Sequence, residues 1–198
     1  MPTAPPVRLA VILGTVREGR LGPRVADWFL GRVREHGGFE ADLVDLAEAK
    51  LPTVLQGPAE DGGYASPEVR AYAGRIARAD AFAVVVPEYN RSYPAALKNA
   101  LDSVYVEWQA KPVGFVSYGG GITGGLRAVE QLRSVFAELH TVTIRDGVSF
   151  PQVHSRFGGS GGPVDMQDAD AAAKKLLDQL MWWAEALREA RARRPYAA

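Results

Sequence analysis

Two apolar runs constrain the fold of this chain more than any other feature: Val7 to Leu13, broken only by Arg8, and Ala81 to Val86, which has no break. Neither alternates polar with apolar residues, so both read as strands covered on two faces. Strands of that kind sit in parallel sheets, and parallel neighbours must be joined by crossover segments that are usually helical. The rest of the chain supplies them. From Pro23 the period becomes helical through Val25, Trp28, Phe29 and Val33, and Gly37-Gly38 ends the run. Phe39 to Leu46 alternates as a second strand, and Lys50 to Ser66 reads as an irregular loop. Ser66 is placed to cap a helix over Pro67 to Ala79. Leu97, Ala100, Leu101, Val104 and Trp108 mark one apolar helical face over Ala95 to Trp108. A strand begins at Pro112 and continues to Ser117-Tyr118, and Leu126, Val129, Leu132, Phe136 and Leu139 define the next helix. Thr141 to Ile144 reads as the last strand, Gln152 to Pro163 as a glycine-rich loop, and a final helix starts near Asp165.

Five strands alternating with helices predict an α/β fold, a five-stranded parallel sheet with helices on both faces. The expected organisation is one domain over residues 7–190, a proline-rich disordered lead-in at 1–6 and a frayed basic tail at 191–198. Lys plus Arg equals Asp plus Glu at 23 each, a balance without the basic excess of a nucleic-acid footprint. Cysteine is absent, which excludes thiolate chemistry and Cys-based zinc sites and fits a reducing, cytoplasmic compartment. The longest apolar stretch, Ala81 to Pro87, is far shorter than the roughly 20 residues a membrane span needs.

In parallel sheets, ligands bind beyond the carboxyl ends of the strands. Three strands end there in loops of unusual composition. The first is GTVREGRLGPR, Gly14 to Arg24. Its glycines and the following helix start favour an anion, and Thr15, Arg17, Arg20 and Arg24 add a hydroxyl and charge. Gly14 and Gly19 have P-loop separation, but Arg20 and Leu21 stand where that motif needs Lys and a hydroxyl, so a single phosphate is expected rather than a triphosphate with magnesium. The second is PEYNRSYP, held rigid by Pro87 and Pro94 and suited to a flat aromatic ligand with polar edges. The third, SYGGGITGG, carries Gly119, Gly121 and Gly124 at dinucleotide spacing but in the wrong place for that fingerprint. Its glycines permit close backbone approach to a ring system. Each loop taken alone also admits a plain reading as a strand-to-helix turn. His36, His140 and His154 show no metal-ligand spacing, no acid–base or nucleophile constellation stands out, and neither catalytic side chains nor a metal site are expected.

Together the three loops strongly resemble the NADPH-dependent FMN reductase family, the flavodoxin-like group that includes quinone, azo-dye and chromate reductases. The likeness covers about Val7 to Leu139 and is most specific in PEYN followed by S-x-P and LKNALD. It implies a flavodoxin-like fold, bound FMN, and hydride transfer from NADPH or NADH to FMN and on to a small acceptor such as a flavin, quinone, azo compound or metal ion. By the same resemblance Thr15, Arg17, Arg20, Leu21 and Gly22 hold the FMN phosphate. Pro87, Glu88, Tyr89 and Asn90 line the flavin ring and ribityl chain, and Ser117, Tyr118, Gly119 and Gly120 complete the ring site. Arg20 and Gly22 depart from the family pattern, standing where Ser and Asn are frequent. A flavodoxin-type electron carrier between proteins is the alternative, although such carriers tend to be acidic and this chain is neutral. A flavin-free module of the same fold is a third reading, opposed by the intact PEYN. Tyr105 and Val106 add apolar surface beside the face of the Ala95 helix, and the resemblance implies a homodimer or tetramer paired there, with partner residues near Trp108 bordering the acceptor pocket.

Overall fold

The computed structural model describes residues 5–60, 62–159 and 163–197. Its five strands are β1 (Val7–Leu13), β2 (Phe39–Asp45), β3 (Ala81–Pro87), β4 (Pro112–Tyr118) and β5 (Val142–Phe150). All neighbours are parallel, in the order β2-β1-β3-β4-β5. The helices are α1 (Gly22–His36), α2 (Leu46–Ala49), α3 (Pro67–Arg78), α4 (Ala95–Asp102), α5 (Leu126–Glu138), α6 (Val153–Phe157) and α7 (Gln167–Arg193). This is the flavodoxin-like arrangement expected.

Successive residues of a strand point to opposite faces, so each inner strand feeds two cores. Leu9, Val11 and Leu13 join Ala83 and Val85 under α1 and α7, with Phe29, Leu176 and Leu180 from the helices. Ala10 and Ile12 join Phe82, Val84 and Val86 under α3, α4 and α5, with Ile76, Leu101 and Phe136. Chain connection reverses between β1 and β3: β1 leads outward to β2, while β3, β4 and β5 build away on the other side. The loops after β1 and β3 therefore diverge at that point, which is where such sheets open a crevice.

Several local expectations are corrected. The segment from Ala95 to Trp108 is not one helix. α4 stops at Asp102, where the Ser103 hydroxyl donates back to the Asn99 carbonyl at 2.6 Å, and a short 3-10 turn covers Val106–Trp108. Trp108 is fully buried against Phe82 and Phe136, inside the core of its own chain. β5 runs to Phe150 rather than Ile144, because Arg145 and Asp146 sit in a register shift between the Val113–Thr143 and Phe115–Gly147 pairings and break the apolar signal without ending the strand. The loop expected from Gln152 holds α6; its residues 160–162 lie outside the described residues. Of the lead-in, Pro5 and Pro6 are described, and their carbonyls accept from Arg188 at 3.1 and 3.3 Å. α7 continues to Arg193, and Arg191 donates to the Ala110 carbonyl and faces Asp80 at 3.4 Å. Trp183 packs on the core beneath α7, whereas Trp182 is exposed.

Candidate functional site

The first loop leaves β1 at Gly14, whose amide still donates to Val85 of β3 at 2.9 Å. From Thr15 to Leu21 no backbone amide donates to a described residue. The loop then enters α1, which has no side-chain N-cap bond and no acidic residue in its first turn. Seven consecutive free donors ahead of an uncapped helix start, with its partial positive charge, are the groups an anion would need. Arg17 is exposed in this loop and has no ion-pair partner among the described residues.

Arg20 behaves differently from the expectation. Its guanidinium forks onto the carboxylate of Asp45 at the end of β2, at 2.7 and 2.6 Å, and also donates to the Thr15 carbonyl. Both side chains are largely covered, 17% and 11% exposed. Burial by itself would raise the Asp45 carboxyl, but Arg20 and the Ala47 amide hold it below the ordinary carboxylate value. Pairing with Asp45 in turn raises Arg20. The guanidinium therefore braces the loop from behind, and its charge toward a phosphate is largely cancelled by Asp45.

Thr15 is fully buried, and its hydroxyl shares a 2.9 Å hydrogen bond with the Tyr89 phenol. That bond ties the first loop to the second. In the second loop Tyr89 and Ser92 exchange backbone hydrogen bonds at 2.8 and 2.9 Å around Asn90 and Arg91. Both central residues have positive φ, 49° and 70°, as two-residue hairpin turns require. Asn accepts that conformation readily; Arg does so at a cost. The turn is anchored to α5 by Gln131, which donates to the Arg91 carbonyl at 2.8 Å and accepts from the Ser92 hydroxyl at 2.6 Å.

Glu88 joins the second loop to the third. Its amide donates to the Tyr118 carbonyl at 3.0 Å. Its carboxylate accepts from the Thr123 hydroxyl at 3.2 Å, the Arg127 amide at 3.3 Å and the Arg127 guanidinium at 2.9 Å. The carboxylate thus caps the start of α5 rather than facing outward. Ser117 is buried, with its hydroxyl on the Gly124 carbonyl at 2.8 Å, so it shapes the third loop from beneath. Gly124 and Gly125 have φ of 57° and 90°, and added β-carbons there would strike Ser149 and Ser117. Gly119 donates to Phe150 at 3.1 Å, while the Gly120 amide has no described partner.

The three loops enclose a cleft of about 370 Å³. Arg17, Arg20, Leu21, Pro87, Glu88, Tyr89, Tyr118, Gly119 and Gly120 all line it. Thr15, Gly22 and Ser117 lie just behind its wall, and Asn90 stands exposed at the hairpin tip. Tyr118 turns its side chain toward α1 rather than toward the third loop, in the core cluster with Leu13 and Val25. Four lining residues are absent from the expected set: Glu18 and Gly19 within the first loop, and Val153 and His154, which come from α6. The signal for the α6 pair is topological: α6 follows β5, the strand beside β4, and Val153 donates to the Gly119 carbonyl at 3.0 Å. Asp45 is likewise missed, although an acidic residue ending the strand next to β1 lies at the same sheet edge. Among the described residues there is no cluster of three or more metal-ligating side chains, and no helix long and apolar enough to cross a membrane.

The donors fit FMN: free amides and an unpaired arginine for a phosphate monoester, then proline, tyrosine and glycine backbone for a planar ring. The sequence model of the family described as NADPH-dependent FMN reductase matches residues 7–155. An NAD(P)H-dependent FMN reductase of Schizosaccharomyces pombe is 35% identical over 150 residues, covering 73% of this chain and 74% of the relative. A probable NADPH:quinone oxidoreductase of Oryza sativa is 33% identical over 181 residues, covering 87% and 90%. The solved flavoenzyme NAD(P)H:(acceptor) oxidoreductase of Paracoccus denitrificans superposes with a TM-score of 0.72 at 25% identity, over 91% of this chain and 98% of that one.

Proposed function

The chain belongs to the NADPH-dependent FMN reductase family, and from that premise we propose that it holds FMN across the tips of β1, β3 and β4, with the phosphate on the first loop. It is an FMN-dependent oxidoreductase that draws on NADPH or NADH and serves a small acceptor. When bound, FMN supplies the two-electron chemistry, taking a hydride and passing the electrons on. The chain supplies position. The unpaired amides from Thr15 to Leu21 and the Arg17 guanidinium bind the phosphate. The Tyr89 hairpin, locked to Thr15 and Gln131, sets one wall of the ring site, and the Glu88–Arg127 pair fixes the other loop against it. No side chain is assigned a proton-transfer step, since alignment alone meets the needs of hydride transfer. Quinones are the acceptor class we favour, a class named for the rice relative and for a 2-hydroxy-1,4-benzoquinone reductase of Burkholderia that is 29% identical over 188 residues. The carrier reading is set aside: such carriers tend to be acidic, whereas the net charge here is zero and the relatives this chain resembles are named as reductases.

The observation that carries the site is the run of seven undonated amides ahead of α1. Titrating apoprotein with FMN tests it. Arg17→Ala is expected to lose about 1.5–3 kcal/mol of binding, the range for hydrogen bonds to charged groups. Unchanged affinity removes Arg17 from the site.

The active assembly in this reading is a homodimer or tetramer in the cytoplasm. Leu55, Tyr105 and Val106 support it, all exposed and lining a second cleft of about 650 Å³ between the 52–66 loop and the end of α4, with Val54 exposed on the same loop. Light scattering behind a sizing column is expected to give at least twice the 21.4 kDa chain mass. A fully active species of single-chain mass refutes the assembly.

A further inference from the structure

Gly22, one of the two positions that depart from the family pattern, is also the most crowded glycine of the first loop. A β-carbon built on it would lie 2.7 Å from Leu13 Cδ1, 2.7 Å from Thr15 Cγ2 and 2.8 Å from the Tyr118 hydroxyl oxygen. Glycine here is therefore the condition under which a tyrosine from β4 reaches the first residue of α1. Tyr118 is only 5% exposed, and its ring is wedged between β1 and α1. Its hydroxyl makes no hydrogen bond to any described residue. The other two hydroxyls of this corner, on Thr15 and Tyr89, satisfy one another at 2.9 Å. The Tyr118 hydroxyl is not among the fully enclosed, unpartnered side-chain atoms of the described residues, so it stays reachable from the cleft and is free to donate to a ligand or a water.

We propose that the Tyr118 hydroxyl is a ligand of the cofactor's phosphate, supplying from β4 the neutral side-chain donor that position 22 lacks. The inference rests on reading the cleft as the FMN site. Three observations converge on it. The hydroxyl stands at the first helical residue of α1, beside the loop whose amides from Thr15 to Leu21 are free. Tyr118 is among the residues that line the same cleft as Arg17. Burial, reinforced by the neighbouring Tyr89 phenol, holds Tyr118 protonated well above the ordinary range, so it meets a phosphate dianion as a donor. Tyr118 thereby moves from the ring end of the site, where its place in SYGG suggests it, to the phosphate end. It would bind FMN in preference to dephosphorylated flavins.

The test compares FMN with riboflavin, which shares the ring and ribityl chain but has no phosphate. Apoprotein and its Tyr118→Phe variant are titrated with each by quenching of flavin fluorescence, and both apoproteins are melted without ligand. Expected is a loss of about tenfold or more in FMN affinity, the scale of a hydrogen bond to a charged group. Riboflavin affinity is expected to stay within about twofold. The melting temperature of the apoprotein is expected to be unchanged or higher, because the hydroxyl has no protein partner to lose. Unchanged FMN affinity overturns the proposal, and so does an equal loss for FMN and riboflavin, which would return Tyr118 to the ring. A lower melting temperature of the variant apoprotein would make the hydroxyl structural and overturn it too. Wild-type protein that binds riboflavin as tightly as FMN overturns both this assignment and the phosphate site itself. Wild-type protein that prefers FMN but ignores Tyr118→Phe overturns this assignment alone.

Discussion

Asp45→Asn perturbs the covered ion pair between Arg20 and Asp45 beneath the first loop. Asparagine keeps the shape of aspartate and an oxygen for the Ala47 amide, which lies 3.0 Å from Asp45. It removes the negative charge and one of the two acceptors at 2.7 and 2.6 Å from Arg20. The guanidinium is then left 17% exposed without its counter-charge. Unpairing a fully buried ion pair costs about 3–5 kcal/mol. The small residual exposure brings the expectation to about 2–3 kcal/mol. For a chain of this size each kcal/mol moves the melting temperature by about 2–4 °C, so a drop of about 5–10 °C is expected. Calorimetry of the apoprotein at pH 7 measures it. Acid titration supplies a second signature. The folded-state carboxyl of Asp45 lies below its ordinary 3.8, so its stabilisation is present above that value. That stabilisation is lost as the pH falls through the folded-state value, and the gap between wild type and variant should close there. A drop of less than about 1 °C at pH 7, or a gap that persists in acid, refutes the view that this pair braces the first loop.

Tyr72→Phe should act in the opposite direction. The Tyr72 hydroxyl is buried with no hydrogen-bond partner among the described residues, so its removal is expected to stabilise the apoprotein by up to about 1–2 kcal/mol in urea unfolding; a loss of stability would reveal a partner. Burial also raises this phenol, so wild-type stability should fall as the pH rises above the ordinary 10.0, where only the unfolded phenol ionises. The variant should lose stability less steeply there, by about 1.4 kcal/mol per pH unit, and identical alkaline slopes would contradict that account.

The fold was legible because its signals are local. Uninterrupted apolar strands such as Ala81 to Val86 declare burial on both faces, and the helices between them carry 3.6-residue stripes that match the two cores. Ser66 capped its helix as its side chain allows, accepting from the Val69 amide at 3.3 Å. Boundaries failed where tertiary contact outweighs pattern. Val104 and Trp108 kept the helical apolar spacing of α4, yet the chain leaves the helix at Ser103 and buries Trp108 from a 3-10 turn. At β5 a register shift carried two charged residues through a strand that periodicity had ended.

The candidate site divides along the same line. Which loops form it followed from composition alone, because glycine, proline and asparagine report backbone geometry directly. What each side chain does there followed only from distance. Arg20 reads as a phosphate ligand until Asp45, 25 residues away on the neighbouring strand, is seen to hold it. Glu88 reads as a ring contact until Arg127, 39 residues on, claims its carboxylate. Gly22 reads as a lost donor until the Tyr118 hydroxyl is found in the space a side chain would fill. A sequence determines backbone preferences residue by residue, whereas the direction and pairing of a polar side chain depend on residues that only the assembled sheet brings within about 3 Å.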